Sequence, residues 1–378
     1  MVIFMIYFDN AATTGMKPPE VIRAVNDALR FYSANPGRSG HSSSVKAAEA
    51  VYKVREKAAE FFGASGAEKV CFTQNCTHSI NCVLKGVLRR GDHVVVSSLE
   101  HNAVMRPLKK TGVNYDIAEV SFYDDEMTLK EFERKIKPNT KIVLCTGASN
   151  VLGKTLPIKE IGALCRRKGV LFGVDAAQTA GVVPINMQKM NIDYLCIAPH
   201  KGLYAPMGIG MLIAEKDIEN TIIEGGTGTN SIELRQPDTL PEKLESGTIN
   251  LPAVLGTGAG IDYVNRMGVE RIHKKELNLI KALYRELEKM SGIVLYTPDP
   301  EKFGYAPVLS FNFADMPSTE AAQKLSDAGI AVRGGLHCAP SAHGMIGTLS
   351  QGTVRVSVGV FNNLAEINRL LNFCRKIS

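Results

Sequence analysis

Three observations point to an α/β fold with a mostly parallel sheet covered by helices on both faces. Short apolar, β-rich runs recur near 93–98, 115–119, 141–146, 170–174, 193–197 and 209–213. Amphipathic helical segments follow most of the first four, the alternation expected of a covered parallel sheet. The rhythm changes from about residue 290. Strands are expected near 293–296, 307–313, 330–333 and 353–358, with helices at about 317–328 and 363–376, which reads as a smaller α+β unit.

Taken in order, the apolar run from Met1 to Phe8 reads as a buried strand, and Asp9–Gly15 as a turn. A helical pattern runs from Pro18 to about Phe31, and a breaker-rich loop spans Ser33–His41. Ser43 or Ser44 is the expected cap of a helix to about Phe62, with Val45, Ala48, Val51 and Val54 on one face. Val70–Thr73 is an expected strand, and Gln74–Ser79 opens a helix to about Leu88. Such a strand-to-helix turn suits an anion, because free N–H groups and the helix dipole face it together; the plain alternative is an N-cap at Asn75 or Thr77. Glu224–Ser231 is Gly-rich without a following dinucleotide-type helix, and Leu244–Asn250 is a polar loop. A helical stretch from about 252 to 290 breaks near Gly268.

The chain of 378 residues, 45% hydrophobic, can bury a large core. Its net charge of +6 is mild and no basic block occurs, so nothing points to nucleic acid. No run reaches membrane-spanning length, and the N-terminus lacks a basic region and cleavage site, so neither membrane nor signal peptide is expected. The eight cysteines include no C-x-x-C pair, and several sit in apolar runs, as expected of a reducing cytosolic protein with no metal site.

Chemistry concentrates at two strand ends. The run Leu171–Val174 ends in Asp175, with Gln178 three residues on; Tyr194–Ile197 leads to His200-Lys201. An acid and a lysine emerging from neighbouring strands are what pyridoxal phosphate requires: the lysine forms the Schiff base and the acid keeps the pyridine nitrogen protonated. The bland alternatives are a surface lysine and a helix-capping acid. His101, after another strand end, suits either ring stacking or a helix cap. Arg355, between Val354 and Val356, must find an anion, either a ligand or a structural partner. Cys338 differs from the other cysteines in having Gly, His and Pro neighbours. Arg333, His337 and His343 are candidate cations beside a thiolate, and Gly334-Gly335 would let the loop move.

These segments resemble a cysteine desulfurase of the class-V aminotransferase group of fold-type-I pyridoxal phosphate enzymes, most closely its type II, selenocysteine lyase-like branch. The resemblance is carried nearly end to end by Tyr7–Thr14, Phe72–Thr77, Glu100–Asn102, Ser149–Gly153, Val174–Gln178, His200–Gly202, Glu245–Asn250, Arg333–Cys338 and Val354–Ser357. It implies a large domain over 15–250 with a mostly parallel seven-stranded sheet, and a small domain over 251–378 joined by residues 1–14. It also implies these roles: Lys201 as Schiff-base lysine, Asp175 at the pyridine nitrogen, Gln178 at the ring hydroxyl and His101 stacked on the ring. Thr77, Cys76 and His200 would hold the phosphate, with Thr248 reaching in from the other subunit of a homodimer. Asn150 and Arg355 would bind the amino acid, and Cys338 would accept sulfur and pass it to an acceptor protein, the step that feeds iron–sulfur cluster biogenesis. The family usually places Ser or Thr, then often Gly, where this chain has Ala198 and Pro199, and Glu where it has His78. The missing hydroxyl removes a phosphate donor that Thr227 or Thr229 would have to replace. Other activities on this scaffold are selenocysteine lyase, β-elimination and transamination; a non-catalytic dimeric scaffold is the alternative of another class.

Overall fold

The computed structural model describes residues 5–37, 39–229 and 231–377. In the apolar N-terminal run only Ile6–Tyr7 (β1) forms a strand, and residues 1–4 of the expected strand lie outside the described residues. Seven strands form the main sheet: β2 (Val70–Thr73), β3 (His93–Ser97), β4 (Asn114–Ala118), β5 (Thr140–Thr146), β6 (Leu171–Asp175), β7 (Tyr194–Ile197) and β8 (Gly210–Ala214). Their order is β2-β8-β7-β6-β5-β3-β4, and only the pairings of β8 are antiparallel.

Continuous apolar runs fill both faces because successive side chains point to opposite sides. Val94, Val96, Ile142, Leu144 and Leu212 share one core with α3 (Cys76–Val87) and α4 (Asn102–Thr111). Val95, Val143, Phe172, Val174 and Ile213 face the other core, packed with residues of α2 (Ser42–Phe62), α6 (Ile158–Lys168) and α7 (Leu251–Met267). Of the flanking helices, α1 (Pro19–Phe31) packs on α7, and α5 (Asp125–Lys135) buries Phe132 in the same core.

Two expectations for α2 need correction. His41, not a serine, caps the helix by accepting from the Ser44 N–H. The buried face runs through Ser44, Ala47, Val51, Val54 and Ala58, while Val45 is 46% exposed. Val51 and Val54 fit either face, and the small Ala47 and Ala58 settle which one is used.

A second sheet, β12-β13-β10-β9, is antiparallel and contains β9 (Ile293–Leu295), β10 (Val308–Phe313), β12 (Arg333–Gly335) and β13 (Thr353–Ser357). Its core includes Ile280, Leu283, Phe311, Leu325, Val354 and Leu371, drawn partly from α8 (Val269–Leu287), α9 (Ser318–Asp327) and α11 (Leu364–Ile377). The strand expected at 330–333 splits: β11 (Ile330–Ala331) pairs in parallel with β1, and Arg333 starts β12. Gly334 is therefore not a hinge residue. It lies in a strand, where an added Cβ would stand 2.5 Å from the Ser318 carbonyl oxygen. A short helix, α10 (Pro340–Met345), follows Cys338 without having been anticipated.

Glu276 on α8 is 2% exposed, and its Oε2 has no hydrogen-bond partner. Burial pushes its carboxyl up to about 8, against the opposing pull of Lys275 and the Val360 N–H. In the unfolded chain a glutamate ionises near 4.3. Between that value and about 8 the folded state holds a proton that the unfolded state has lost, so stability falls as pH rises through this window. Glu276→Gln removes this contribution. It should be ~1–3 kcal/mol more stable than wild type at pH 9, with little difference at pH 4, by urea denaturation.

Candidate functional site

The C-terminal ends of β3, β5, β6 and β7 open on one side of the main sheet, where ligands of such folds sit. A cavity of about 560 Å³ lies there, lined by Asn75, Cys76, Thr77, His101, Thr146, Asn150, Asp175, Gln178, Ala198, His200 and Lys201 among others. Nine residues singled out in the sequence thus converge: Cys76, Thr77, His101, Asn150, Asp175, Gln178, Ala198, His200 and Lys201.

Parallel pairing of β6 with β7 sets Asp175 opposite Cys196, and Lys201 follows five residues later. Asp175 is buried; its Oδ1 accepts from the Ala177 N–H at 2.9 Å and faces the Cys76 thiol at 3.6 Å. With Oδ1 occupied, Oδ2 makes no hydrogen bond among the described residues. Burial pulls the Lys201 amine below its ordinary range, with Asp175 opposing and Arg355 and Arg333 reinforcing. A Schiff-base lysine needs this shift, because the neutral amine is the nucleophile. Lys201 also borders a second, smaller cavity that reaches Glu276.

The Lys201 backbone is held from outside the sheet. The His200 carbonyl accepts from Thr14 N–H, Thr14 Oγ1, Thr13 Oγ1 and Lys17 Nζ, at 3.1–3.2 Å. Burial lowers Lys17 to about 8. Gly202 follows because an added Cβ would run into the Ala180 carbonyl. None of the three N-terminal residues at this carbonyl was given a role from the sequence; Thr13 and Thr14 close the Tyr7–Thr14 segment of the family resemblance, and Lys17 lies just beyond the Asp9–Gly15 turn.

The N-terminus of α3 faces the same cavity. Asn75 caps it by accepting from His78 N–H at 2.9 Å, leaving the first N–H groups, of Cys76 and Thr77, without partners among the described residues. The plain cap is therefore present, and it leaves two N–H groups for an anion. His200 stays neutral because burial lowers it to about 4, so it contributes a hydrogen bond and no charge. Ala198 stands at the cavity wall and supplies no hydroxyl. Within this chain Thr227 and Thr229 bond each other in an exposed loop and line a different cavity. Thr248 is also elsewhere: with Gln74 and His78 it lines a separate pocket of about 640 Å³.

His101 both caps α4, accepting from Ala103 N–H at 2.9 Å, and lines the cavity. The preceding Glu100 is fully buried. Its Oε1 accepts from Thr146 N–H at 2.9 Å and from both Ser97 groups, pinning the ends of β3 and β5 together. Burial raises its carboxyl to about 8, so it carries its proton at neutral pH.

Arg355, 1% exposed, has the structural partner that was one of its two alternatives. Nη2 pairs with Asp9 at 2.6 Å and Nη1 donates to the Asn150 carbonyl at 3.0 Å, while Nε is buried without a partner. Arg333 lies directly across β13 from it and has no ion pair among the described residues. Two guanidinium-bearing residues thus stand opposite each other, and Asp9 pairs with Arg355 alone, an arrangement that suits a bound anion.

Cys338 is exposed, whereas the other seven cysteines are buried. It and His337 have φ of 58° and 50°, the left-handed region that costs non-glycine residues roughly 1–3 kcal/mol each. His337 and His343 are not the cationic neighbours expected from the sequence. Both are buried with their rings 5.6 Å apart, and burial lowers them, His337 to about 2. Each uses one ring nitrogen as an anchor, to Thr353 and Thr348 respectively. Arg333 is left as the cation near this loop.

An acid and a lysine on adjacent strand ends, facing a helix N-terminus across one cavity, define an α/β site for an anionic cofactor that carries a carbonyl group. The unpartnered Asp175 Oδ2 and Lys201 Nζ and the free N–H groups of α3 fit such a group. The aminotransferase class-V family profile matches residues 6–370, and the chain belongs to that pyridoxal-phosphate-dependent family. It is 33% identical to a probable cysteine desulfurase of Methanothermobacter thermautotrophicus, over 97% of this chain and 92% of that one. A probable cysteine desulfurase of Pyrococcus abyssi is also 33% identical, over 99% of this chain and 94% of the relative. Among solved structures, the apo cysteine desulfurase of Thermococcus onnurineus NA1 superposes with a TM-score of 0.90 at 33% identity, covering 99% of this chain and 94% of that one. The cysteine desulfurase CsdA of Escherichia coli, in its S-sulfonic acid form, gives 0.88 at 25% identity, over 100% of this chain and 95% of the other.

Asp9→Asn leaves the Arg355 guanidinium buried without its counter-charge. Because Asp9 is partly exposed, the expected cost is ~1–3 kcal/mol, below the range for a fully buried pair, read as a shift in urea midpoint at pH 7.

Proposed function

We propose that the chain is a pyridoxal phosphate-dependent cysteine desulfurase, taking sulfur from L-cysteine to leave L-alanine and a persulfide on Cys338. The observation that carries this reading is the place of Cys338. It is the single exposed cysteine, and its loop is fastened to Asn102 and Asn150 at the rim of the Lys201 cavity. Family membership and desulfurase relatives over nearly the whole chain support it.

When bound, the cofactor supplies an electron sink for the α-carbon of the amino acid. Lys201 would hold it covalently and would serve as the base for the α-proton. Asp175 Oδ2 would pair with the pyridine nitrogen, Gln178 would donate to the ring hydroxyl oxygen, and His101 would stack on the ring. The Cys76 and Thr77 N–H groups, the Thr77 hydroxyl and His200 would hold the phosphate. Arg355 and Asn150 would grip the substrate carboxylate, with Arg355 Nε, buried and without a partner among the described residues, as a donor for it. Cys338 attacks as thiolate: an S–S bond forms, the substrate C–S bond breaks towards carbon, and His101 returns a proton to the departing fragment.

Thr248 reaches the phosphate from a second subunit of a homodimer. The exposed Met207 and Ile223, beside the Thr248 pocket, are apolar surface that such a subunit would cover. The persulfide passes to a sulfur-acceptor protein, in the class of reactions that supplies iron–sulfur clusters. No helix among the described residues is long and apolar enough to cross a membrane.

Cys338→Ala should abolish alanine release from L-cysteine while retaining the visible absorbance of the bound cofactor, and Lys201→Ala should lose that absorbance. Full turnover by Cys338→Ala would sink the acceptor role and favour elimination or selenocysteine lyase chemistry.

A further inference from the structure

Leu336 to Ala339 forms a tight turn, closed by Ala339 N–H donating to the Leu336 carbonyl at 2.9 Å, with His337 and Cys338 both left-handed at its centre. Such a turn is ordinarily built from Gly or Asn, so these two residues keep it only while outside contacts hold them. Three contacts do so. Asn102 N–H donates to the Cys338 carbonyl at 2.8 Å, His337 Nε2 meets the Thr353 carbonyl at 3.0 Å, and Asn150 Nδ2 donates to the His337 carbonyl at 2.8 Å.

The first two holders belong to the α4 N-terminus and to β13, and neither is a ligand donor. The third is different. Asn150 lines the cofactor cavity, and its own carbonyl accepts from Arg355 Nη1 at 3.0 Å. One residue therefore touches the thiol-bearing turn and the guanidinium whose Nε is still open. We infer that Asn150 is a coupling latch: its amide holds the Cys338 turn in the resting protein and yields to the substrate carboxylate, freeing the turn when substrate is seated.

The exchange is favourable because a charged acceptor makes a stronger hydrogen bond than a neutral carbonyl. Released at one point, the turn stays tethered at Asn102 and Thr353, so the thiol gains reach without leaving the rim. An amino acid without sulfur works the latch equally well, because only its carboxylate is involved. The inference rests on the proposed placement of the substrate carboxylate at Arg355 and Asn150.

The test is the rate of Cys338 alkylation by iodoacetamide in the full-length holoprotein, with Cys338→Ala as the blank for the seven buried thiols. Saturating L-alanine should raise the wild-type rate about three- to tenfold, the effect of losing one neutral hydrogen bond. Asn150→Ala should show that higher rate without L-alanine while still unfolding in one cooperative thermal transition. Thr353→Val removes a hydroxyl contact to His337 Nε2 outside the cavity and should keep the L-alanine response whatever its resting rate. A wild-type rate that L-alanine leaves unchanged or slows overturns the latch. So does an Asn150→Ala resting rate equal to wild type. If Asn150→Ala proves unfolded, the wild-type and Thr353→Val responses to L-alanine decide the matter. The readout needs no turnover, so a chain that responds to L-alanine but makes none from L-cysteine would refute the desulfurase reading and leave the latch standing.

Discussion

A guanidinium at 1% exposure cannot remain unpaired, and the way Arg355 is satisfied fixes how the parts of this chain meet. Asp9 comes from the N-terminal segment, Asn150 from the loop after β5 of the main sheet, and Arg355 from β13 of the second sheet. The same N-terminal segment closes on the His200 carbonyl through Thr13, Thr14 and Lys17. Residues 9–17 therefore tie the arginine and the lysine to one another.

The same region is arranged to stay electrically quiet except where a ligand belongs. His200, His337 and His343 are held neutral by burial, and Glu100 is held protonated. Each serves as an oriented dipole or a hydrogen-bond anchor. The remaining acids, Asp175 and Asp9, face Arg355, Arg333 and a Lys201 amine that burial pulls below its ordinary range.

Much of this was legible in the sequence because it is local. Strand runs such as Val94-Val95-Val96 announce two buried faces, and Asp175 and Lys201 announce themselves at the ends of such runs. The errors share a cause. The face of α2 was misplaced because valines at near-helical spacing allow two registers, and Ala47 and Ala58 choose between them only through packing. His337 and His343 were read as cations because nothing local reports that both are buried against Thr353 and Thr348. Asp9 as partner of Arg355 lies 346 residues away in the chain, and no periodicity connects the two. Gly334 was read as freedom, and is a strand glycine pressed against Ser318.

The absent hydroxyl at Ala198 is a departure from the family pattern in the wall of the Lys201 cavity. A phosphate seat is a sum of donors, and here the Asn75 cap, two free N–H groups and His200 converge on one cavity wall. The Cys338 turn allows no such averaging. It depends on a left-handed pair kept in place by three particular contacts, one of which shares its residue with the Arg355 site. Binding of the cofactor can therefore drift by single donors while sulfur chemistry stays tied to the geometry of a few atoms. The cofactor is thus legible in two neighbouring strand ends, whereas the sulfur step draws on Asn150, Cys338 and Arg355, which lie far apart in the chain and which only the family resemblance ties together in the sequence.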